Sequence, residues 1–244
     1  MEKIFHFSTD GLQRININLA WPQVEVSFGE REDIHILIAG DDGSVAQMKV
    51  EQKDEGLLIE QPQYGLFKSY RAGTWMQVMV EIPATFSRLV DINTVTGSCL
   101  LRAYRGEDLR VNTVSGKIIL SDILSKRLRV GSISGSMTAR NVRCEELRSK
   151  SVSGSFVYEN LEAAEMRASS VSARQSYDLR KAFHSLDITS VSGNIDIMQP
   201  YDKVDAQIRA VASSAFYDGV ELAEGAPRIH INIVSGNVKI KKTI

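Results

Sequence analysis

The chain has 244 residues, 43% of them hydrophobic and 24% charged, a balance that fits a folded globular or repeat protein and excludes intrinsic disorder. A net charge of −1 gives no overall basic field for nucleic acid, so no nucleic-acid partner is expected. No run approaches eighteen apolar residues, which excludes a transmembrane helix, and two cysteines are too few for a disulfide framework.

In chain order, the opening MEKIFHFSTDGLQ has one lysine, no long apolar stretch and no small-residue cleavage site. It does not read as a secretory signal, so the literal expectation is a cytoplasmic protein. Alternating apolar positions then predict strands: Ile15, Ile17 and Leu19; Val24, Val26 and Phe28; Ile34, Ile36 and Ile38; and Met76, Val78, Val80 and Ile82. Ile15 and Ile34 are nineteen residues apart, and Gly40 to Gly43 marks a turn. Between these strands, Gln61 to Trp75 interrupts the alternation and gathers Tyr64, Phe67, Tyr70 and Trp75 with Lys68 and Arg71. Residues 1–83 are expected to form irregular β coils or a small antiparallel cap, continuous with a regular region over 84–244.

That regular region is an internal repeat. Anchors of the S/T-x-S/T-G type end at Gly97, Gly116, Gly135, Gly154, Ala173, Gly193 and Gly236, spaced by 19, 19, 19, 19, 20 and 43 residues. A degenerate copy ending at Ser213 divides the last interval into 20 and 23. Seven, five and two residues before each anchor, and two after it, the columns are mainly apolar, as in Leu109, Val111, Val114 and Ile118. A unit of short strands this small cannot bury its own inner face, whereas stacked copies can. The repeat therefore predicts an all-β fold, a single parallel β-solenoid of about 19 residues per coil. Eight coils at the interstrand spacing make a rod roughly 40 Å long.

A bend near Thr113 is expected to turn both the Leu109–Val111 set and the Val114–Ile118 set inward. The hydroxyl column Thr94, Thr113, Ser132, Ser151, Ser170 and Ser190 falls at that corner and can bond nearby backbone. No proline lies between residues 84 and 199, as ladder amides require. Leu161 to Ala168 and Asp178 to Leu186 favour helix by propensity, but Met166 and Leu186 fall in the leucine column, so strand is predicted there. At the far end, Lys239, Lys241 and Lys242 read as edge lysines that discourage end-to-end pairing.

The repeated TVSG and SVSG units, the GLLIEQP stretch and VEIPA leading into the first TVTG resemble the bacterial putative-adhesin family of β-helical domains, domains of unknown function. The resemblance covers nearly the whole chain. It implies a right-handed parallel β-helix and a cell-envelope or surface connection, and it carries over no catalytic residues.

The search for chemistry turns up little. His6, His35, His184 and His230 include no pair with metal-ligand spacing, so no metal site is expected. Cys99 sits in an inward column and Cys144 between strands more than two coils away, too far for a disulfide, so two free thiols are predicted. Six serines repeating at one place form a structural ladder, since a nucleophile needs one special serine with its base. No carboxylate pair stands free of basic neighbours as a glycosidase needs. No cofactor is expected, and the chain is read as no enzyme.

The candidate ligand-binding residues are an outward arginine column, Arg110, Arg129, Arg148 and Arg167, together with Tyr70 and Trp75. Four stacked guanidinium groups suit a linear polyanion. The competing reading pairs them with Asp108, Glu146 and Glu165, two residues earlier on the same face, with Arg127 in the place of a fourth acid. Three functions follow. The first is a non-enzymatic structural or interaction module of unknown ligand, with a protein or envelope polymer as partner. The second is a module binding an anionic polymer or glycan through the arginines. The third is a self-assembling scaffold of the bactofilin kind. A monomer or small homo-oligomer is expected.

Overall fold

The computed structural model describes residues 1–62 and 74–243. Among these the fold is all-β: β1 (Glu2–Phe7), β2 (Arg14–Leu19), β3 (Gln23–Gly29), β4 (Ile34–Gly40), the short helix α1 (Asp42–Ala46), β5 (Lys49–Lys53), β6 (Gly56–Glu60), β7 (Met76–Pro83), β8 (Leu89–Thr94), β9 (Cys99–Arg102), β10 (Arg105–Thr113), β11 (Lys117–Ser132), β12 (Ser136–Leu179), β13 (Ser185–Gln199), β14 (Lys203–Asp218), β15 (Glu221–Leu222) and β16 (Arg228–Lys242). Leu161–Ala168 lies within β12, so core placement does override helix propensity there.

From β8 to β13 the repeats pair in parallel at the sequence period. Leu109 stands beside Val90 and Leu128, and Leu128 beside Leu147. Each repeat has three short sides. The β11–β12 ladder runs over residues 117–121, 123–125 and 127–132, interrupted at 122, at 126 and at the anchor. Alternation does the sorting: Leu109 and Val111 point into the core, while Arg110 and Asn112 face out.

The anchor corner differs from the sequence expectation. Inward parity runs on through Leu109, Val111 and Thr113, so the hydroxyl column is buried, with Thr113 only 5% exposed. The next column, Val114, Ile133, Val152, Val171, Val191 and Val234, faces solvent, with Ile133 51% exposed. The sharp corner has room inside for a small hydroxyl that serves the backbone. Thr113 Oγ1 accepts from Gly116 N–H at 2.8 Å, and Ser132 Oγ from Gly135 N–H at 2.7 Å. Farther along the stack the hydroxyl switches role. Ser151 and Ser190 donate to the carbonyls of Ser153 and Ser192, and the following Gly154 and Gly193 adopt φ of +119° and +130°.

A second corner, unmarked in the sequence reading, turns on left-handed residues spaced by nineteen: Ala103, Asp122, Asn141 and Asn160, at φ of 53° to 61°. Asn141 donates to Asp122 at 2.8 Å and Asn160 to Asn141 at 2.9 Å, a side-chain ladder along that edge. Asn and Asp adopt this conformation at lower cost than alanine. Replacing Ala103 by Asn, which relieves the strain and extends the ladder, is expected to raise stability by about 1 kcal/mol in urea unfolding.

The core changes composition along the stack. Where Val111 and Val130 give way to Ser149 and Ala168, the facing column swells from Leu120 and Ala139 to Tyr158 and Tyr177, whose rings stack with centroids 5.4 Å apart. Their hydroxyls are satisfied inside. Tyr158 bonds Ser149, and Tyr177 donates to Gln175, which donates to Ser170. Burial pushes the Tyr158 and Tyr177 hydroxyls well above their usual range and both cysteine thiols up to about 12. Cys99 and Cys144 are free and buried, and Cys144 lies in a paired strand beside Ser125 rather than between strands.

The two ends depart from sequence order. β2 and β3 lie between the β8–β9 layer and the β6–β7 layer, so the amino-terminal strands are covered by a later segment. β4 pairs antiparallel with β1 and β7, so the nineteen-residue step from Ile15 to Ile34 is not a stacking step. At the far end β16 inserts between β13 and β14. Gly236 sits beside both Gly193 and Ser213. Lys239 and Lys241 are thus interior to the ladder rather than on its edge, and the outermost long strand is β14.

Candidate functional site

The outward columns of the long side form the most featured surface. Three residues before the buried hydroxyl column stand the arginines, and between them runs the column Asn93, Asn112, Gly131, Lys150 and Ser169. The asparagines are ordered by one another. Asn112 donates to Asn93 at 3.0 Å and Asn93 to Asn18 at 3.1 Å. At Gly131 the ladder breaks, because a Cβ there would sit 2.5 Å from Asn112 Oδ1.

Between this column and the exposed valines runs a groove of about 910 Å³, from Asn18, Glu60 and Gln61 at one end to Lys150, Val152 and Ser169 at the other. Its apolar bank is Val95, Val114, Ile133 and Val152, and its floor is the hydroxyl column. Thr94 Oγ1, in that floor, is buried without a hydrogen-bond partner among the described residues. The sequence reading missed this groove because it turned the valine column inward. The signal was available in the unbroken parity of positions 109, 111 and 113, which leaves 114 outside.

The arginine column is assembled as the spacing predicts, with Arg110 beside Arg129 and Arg129 beside Arg148. Its charge is largely answered. Asp108, 5% exposed, receives Arg129 at 2.8 Å, Arg110 at 3.1 Å and Arg127 from the next repeat at 3.2 Å. Glu146 takes Arg148, with an Nε contact of 2.6 Å, and Arg167 at 3.8 Å, and Glu165 takes Arg167 at 3.6 Å. Burial by itself would raise the Asp108 carboxyl. The hydrogen bonds and charges of Arg110 and Arg129 outweigh it and hold the group below the usual carboxylate range. Five arginines meet three carboxylates in the neighbouring column, Asp91 and Asp187 close the arginine column at its two ends, and Arg148 and Arg167 also line a shallow hollow with Lys150 and Asp187.

Of the other two candidates, Trp75 does not join this surface. Tyr70 lies outside the described residues. Trp75 is exposed, and its carbonyl accepts from Asp41 N–H at 3.1 Å, just beyond the end of β4. Sequence spacing also separates two histidines that the fold unites. The antiparallel β1–β4 register sets His6 opposite His35, ring centroids 5.0 Å apart, with Asp33 at 2.5 Å from His6 and Glu81 at 3.3 Å from His35. Among the described residues no group of three or more His, Cys, Asp or Glu side chains is arranged to hold a metal ion. No described helix is long and apolar enough to cross a membrane.

A family model described as Toastrack DUF4097 matches residues 12–241. The chain belongs to that family. Solved structures similar to this Toastrack chain include a putative adhesin from Parabacteroides distasonis, at 12% identity and TM-score 0.64, covering 99% of this chain and 97% of the other. A putative lipid binding protein from the same species is 14% identical, with TM-score 0.59 and coverage of 100% and 97%. A putative adhesin from Bacteroides fragilis is 14% identical, with TM-score 0.56 and the same coverage. At these identities the likeness is one of fold. No curated protein matches the chain.

Proposed function

We propose that the chain is a single right-handed parallel β-solenoid, with residues 1–83 as its cap continuous with 84–244, acting as a non-enzymatic, adhesin-like binding module in cell-envelope biology. Its long flank holds an extended anionic amphiphile, the apolar part along the valine stripe and the anionic part toward Lys150 and the arginines. One observation carries this reading: an apolar bank of four repeats runs beside a groove whose other side presents amides and, at one end, the cation Lys150. The name of one structural neighbour, a putative lipid binding protein, supports the same chemistry. Scattered exposed apolar residues need no explanation, but a contiguous stripe of them marks an interaction surface.

The test is cosedimentation with vesicles of phosphatidylglycerol, compared with phosphatidylcholine vesicles and with a soluble polyanion. The double variant Ile133→Asn, Val152→Asn is expected to weaken binding to the anionic vesicles by at least about tenfold, roughly 1.4 kcal/mol. Arg129→Glu with Arg148→Glu should weaken it and flatten its salt dependence. Binding indifferent to both pairs would overturn the reading. Binding of the soluble polyanion that depends on the arginines and not on the valines would favour the alternative, a glycan or anionic-polymer module on the arginine face. Turnover of any substrate abolished by one Asp or Glu substitution would remove the non-enzymatic assignment.

A further inference from the structure

We propose that the β14 end is a homodimer interface, in which two copies pair antiparallel across a two-fold axis at the Val211–Ala212 corner. β14 is sixteen residues long and contains no proline, and one side of it pairs with β16. Natural sheets blunt such edges with short strands, prolines or inward charges, and β14 has none of these in its inward column.

The backbone shows which groups are free. Asp205 N–H donates to Pro227 O at 3.1 Å. In a parallel ladder alternate residues address one neighbour, so Asp205, Gln207 and Arg209 serve β16, while Ala206, Ile208 and Ala210 turn their N–H and C=O away. Val204 confirms the parity, since its carbonyl accepts from Ala223 N–H at 3.0 Å on the opposite side, where β15 covers the start of the edge. The parity shifts by one at the corner. Val114 and Ser115, the equivalents of Val211 and Ala212, both donate to the preceding repeat, at 3.1 and 2.8 Å. Beyond the corner, Ser213, Ala215 and Tyr217 are therefore the outward-addressing residues.

These six residues also carry the inward side chains of the outermost layer. Their neighbours in β16 include Ile229, Ile231, Ile233, Val238 and Ile240, all buried. The layer above is missing, so Ala210 and Ala215 are exposed and Ile208 and Tyr217 half-buried. A two-fold axis through the corner sets Ala210 against the partner's Ser213, Ile208 against the partner's Ala215, and Ala206 against the partner's Tyr217. Every pair joins two edge-addressing residues, every pair is inward on both copies, and each large side chain meets a small one. Val211, 83% exposed, and Phe216 flank the same seam. Asp205 meets the partner's Asp218, whose charge is held within its own chain by a lysine, as Lys241 holds Asp218 at 3.3 Å.

A second copy is favoured over open-ended stacking because, among the described residues, the opposite end offers no matching edge. There the outer strands are the antiparallel β1 and the five-residue β5, which carries Lys49, Glu51, Gln52 and Lys53. An isologous contact consumes the β14 edge of both copies and closes.

Size exclusion with light scattering, across a wide concentration range, tests this. The wild-type chain is expected to reach the dimer mass and stop. Ile208→Lys, an inward charge on the edge, and Ala210→Pro, which removes an outward amide, should each give a monomer that still unfolds cooperatively, with a thermal midpoint that no longer depends on protein concentration. Val211→Cys, beside the axis, should form an interchain disulfide on mild oxidation, the native thiols being buried, and this reads the contact even if an edge variant fails to fold. A monomer at every concentration, growth past the dimer, a dimer indifferent to both edge variants, or no cross-link through Cys at 211 would each overturn the proposal.

Discussion

Gly193→Ala should be among the most damaging single substitutions in the chain, lowering stability by about 4 kcal/mol or more. Two costs add. A Cβ at Gly193 would lie 2.0 Å from the carbonyl oxygen of Ala173, and Gly193 adopts φ of +130°, where an L side chain is strained by about 1–3 kcal/mol. The obstructing atom is backbone in the next layer, so relief requires the layers to part along a ladder they share. Typical domains have only 5–15 kcal/mol to lose. The native Ala173 occupies the same column and is no precedent, because it is not among the residues with positive φ. The informative control is Gly29→Ala, where a Cβ meets nothing within 4 Å and φ is not positive. Urea unfolding should separate the two: a midpoint near wild type for Gly29→Ala, and a greatly lowered one, or loss of soluble protein, for Gly193→Ala. Equal midpoints would show that the anchor glycines serve something other than the close approach of layers.

The stacking period was legible in the sequence because every layer repeats the same steric problem. Leu109, Leu128 and Leu147 fill one site over and over, and the spacing of such a column is the stacking register itself. The fate of Val114 was less legible. Hydrophobicity argues for the interior, but the corner admits only a residue that can bond the Gly116 amide, and Thr113 does so while Val114 cannot. Parity carried the answer and hydrophobicity outvoted it. The ends were opaque for another reason. Gly193, Ser213 and Gly236 occur in that order along the chain, yet stack as Gly193, Gly236, Ser213. The anchors are interchangeable in sequence, so nothing in their spacing says which layer is outermost. Composition does carry a trace: where β16 has Ile229, Ile233 and Val238, β14 has Ala206, Ala210 and Ala215, smaller residues suited to the last layer of its own chain. Of the candidate site, the arginine column was legible as a column, and its neutralisation by Asp108, Glu146 and Glu165 followed from two-residue spacing. Arg127 stacking on Asp108 was implicit in their nineteen-residue spacing, whereas Arg129 reaching diagonally back to the same carboxylate was visible only in three dimensions.

Asp108 joins the stability of the flank to its binding chemistry. It is the most buried carboxylate of the arginine face and has three guanidinium partners within 3.2 Å. Asp108→Asn keeps the shape and removes the charge. The three arginines are between one-third and one-half exposed, so water recovers part of their solvation, and the expected loss is about 2–3 kcal/mol, below the range for a fully buried pair. The pH dependence has a definite sign. The Asp108 pKa is lowered in the folded state, so its contribution is fully present above the unfolded value of about 3.9 and is lost as pH falls through the folded value. The gap between wild type and variant in urea midpoint should therefore be constant near neutrality and close on acidification below about pH 4. Binding should move the other way. With Asp108 neutral, Arg110, Arg127 and Arg129 lose their internal counter-charge, so the variant should hold phosphatidylglycerol vesicles or a soluble polyanion more tightly than wild type, with a steeper dependence on salt. A variant that is destabilised but binds no better would assign the arginine column to holding the layers together, and would leave the valine-lined groove as the binding surface by itself.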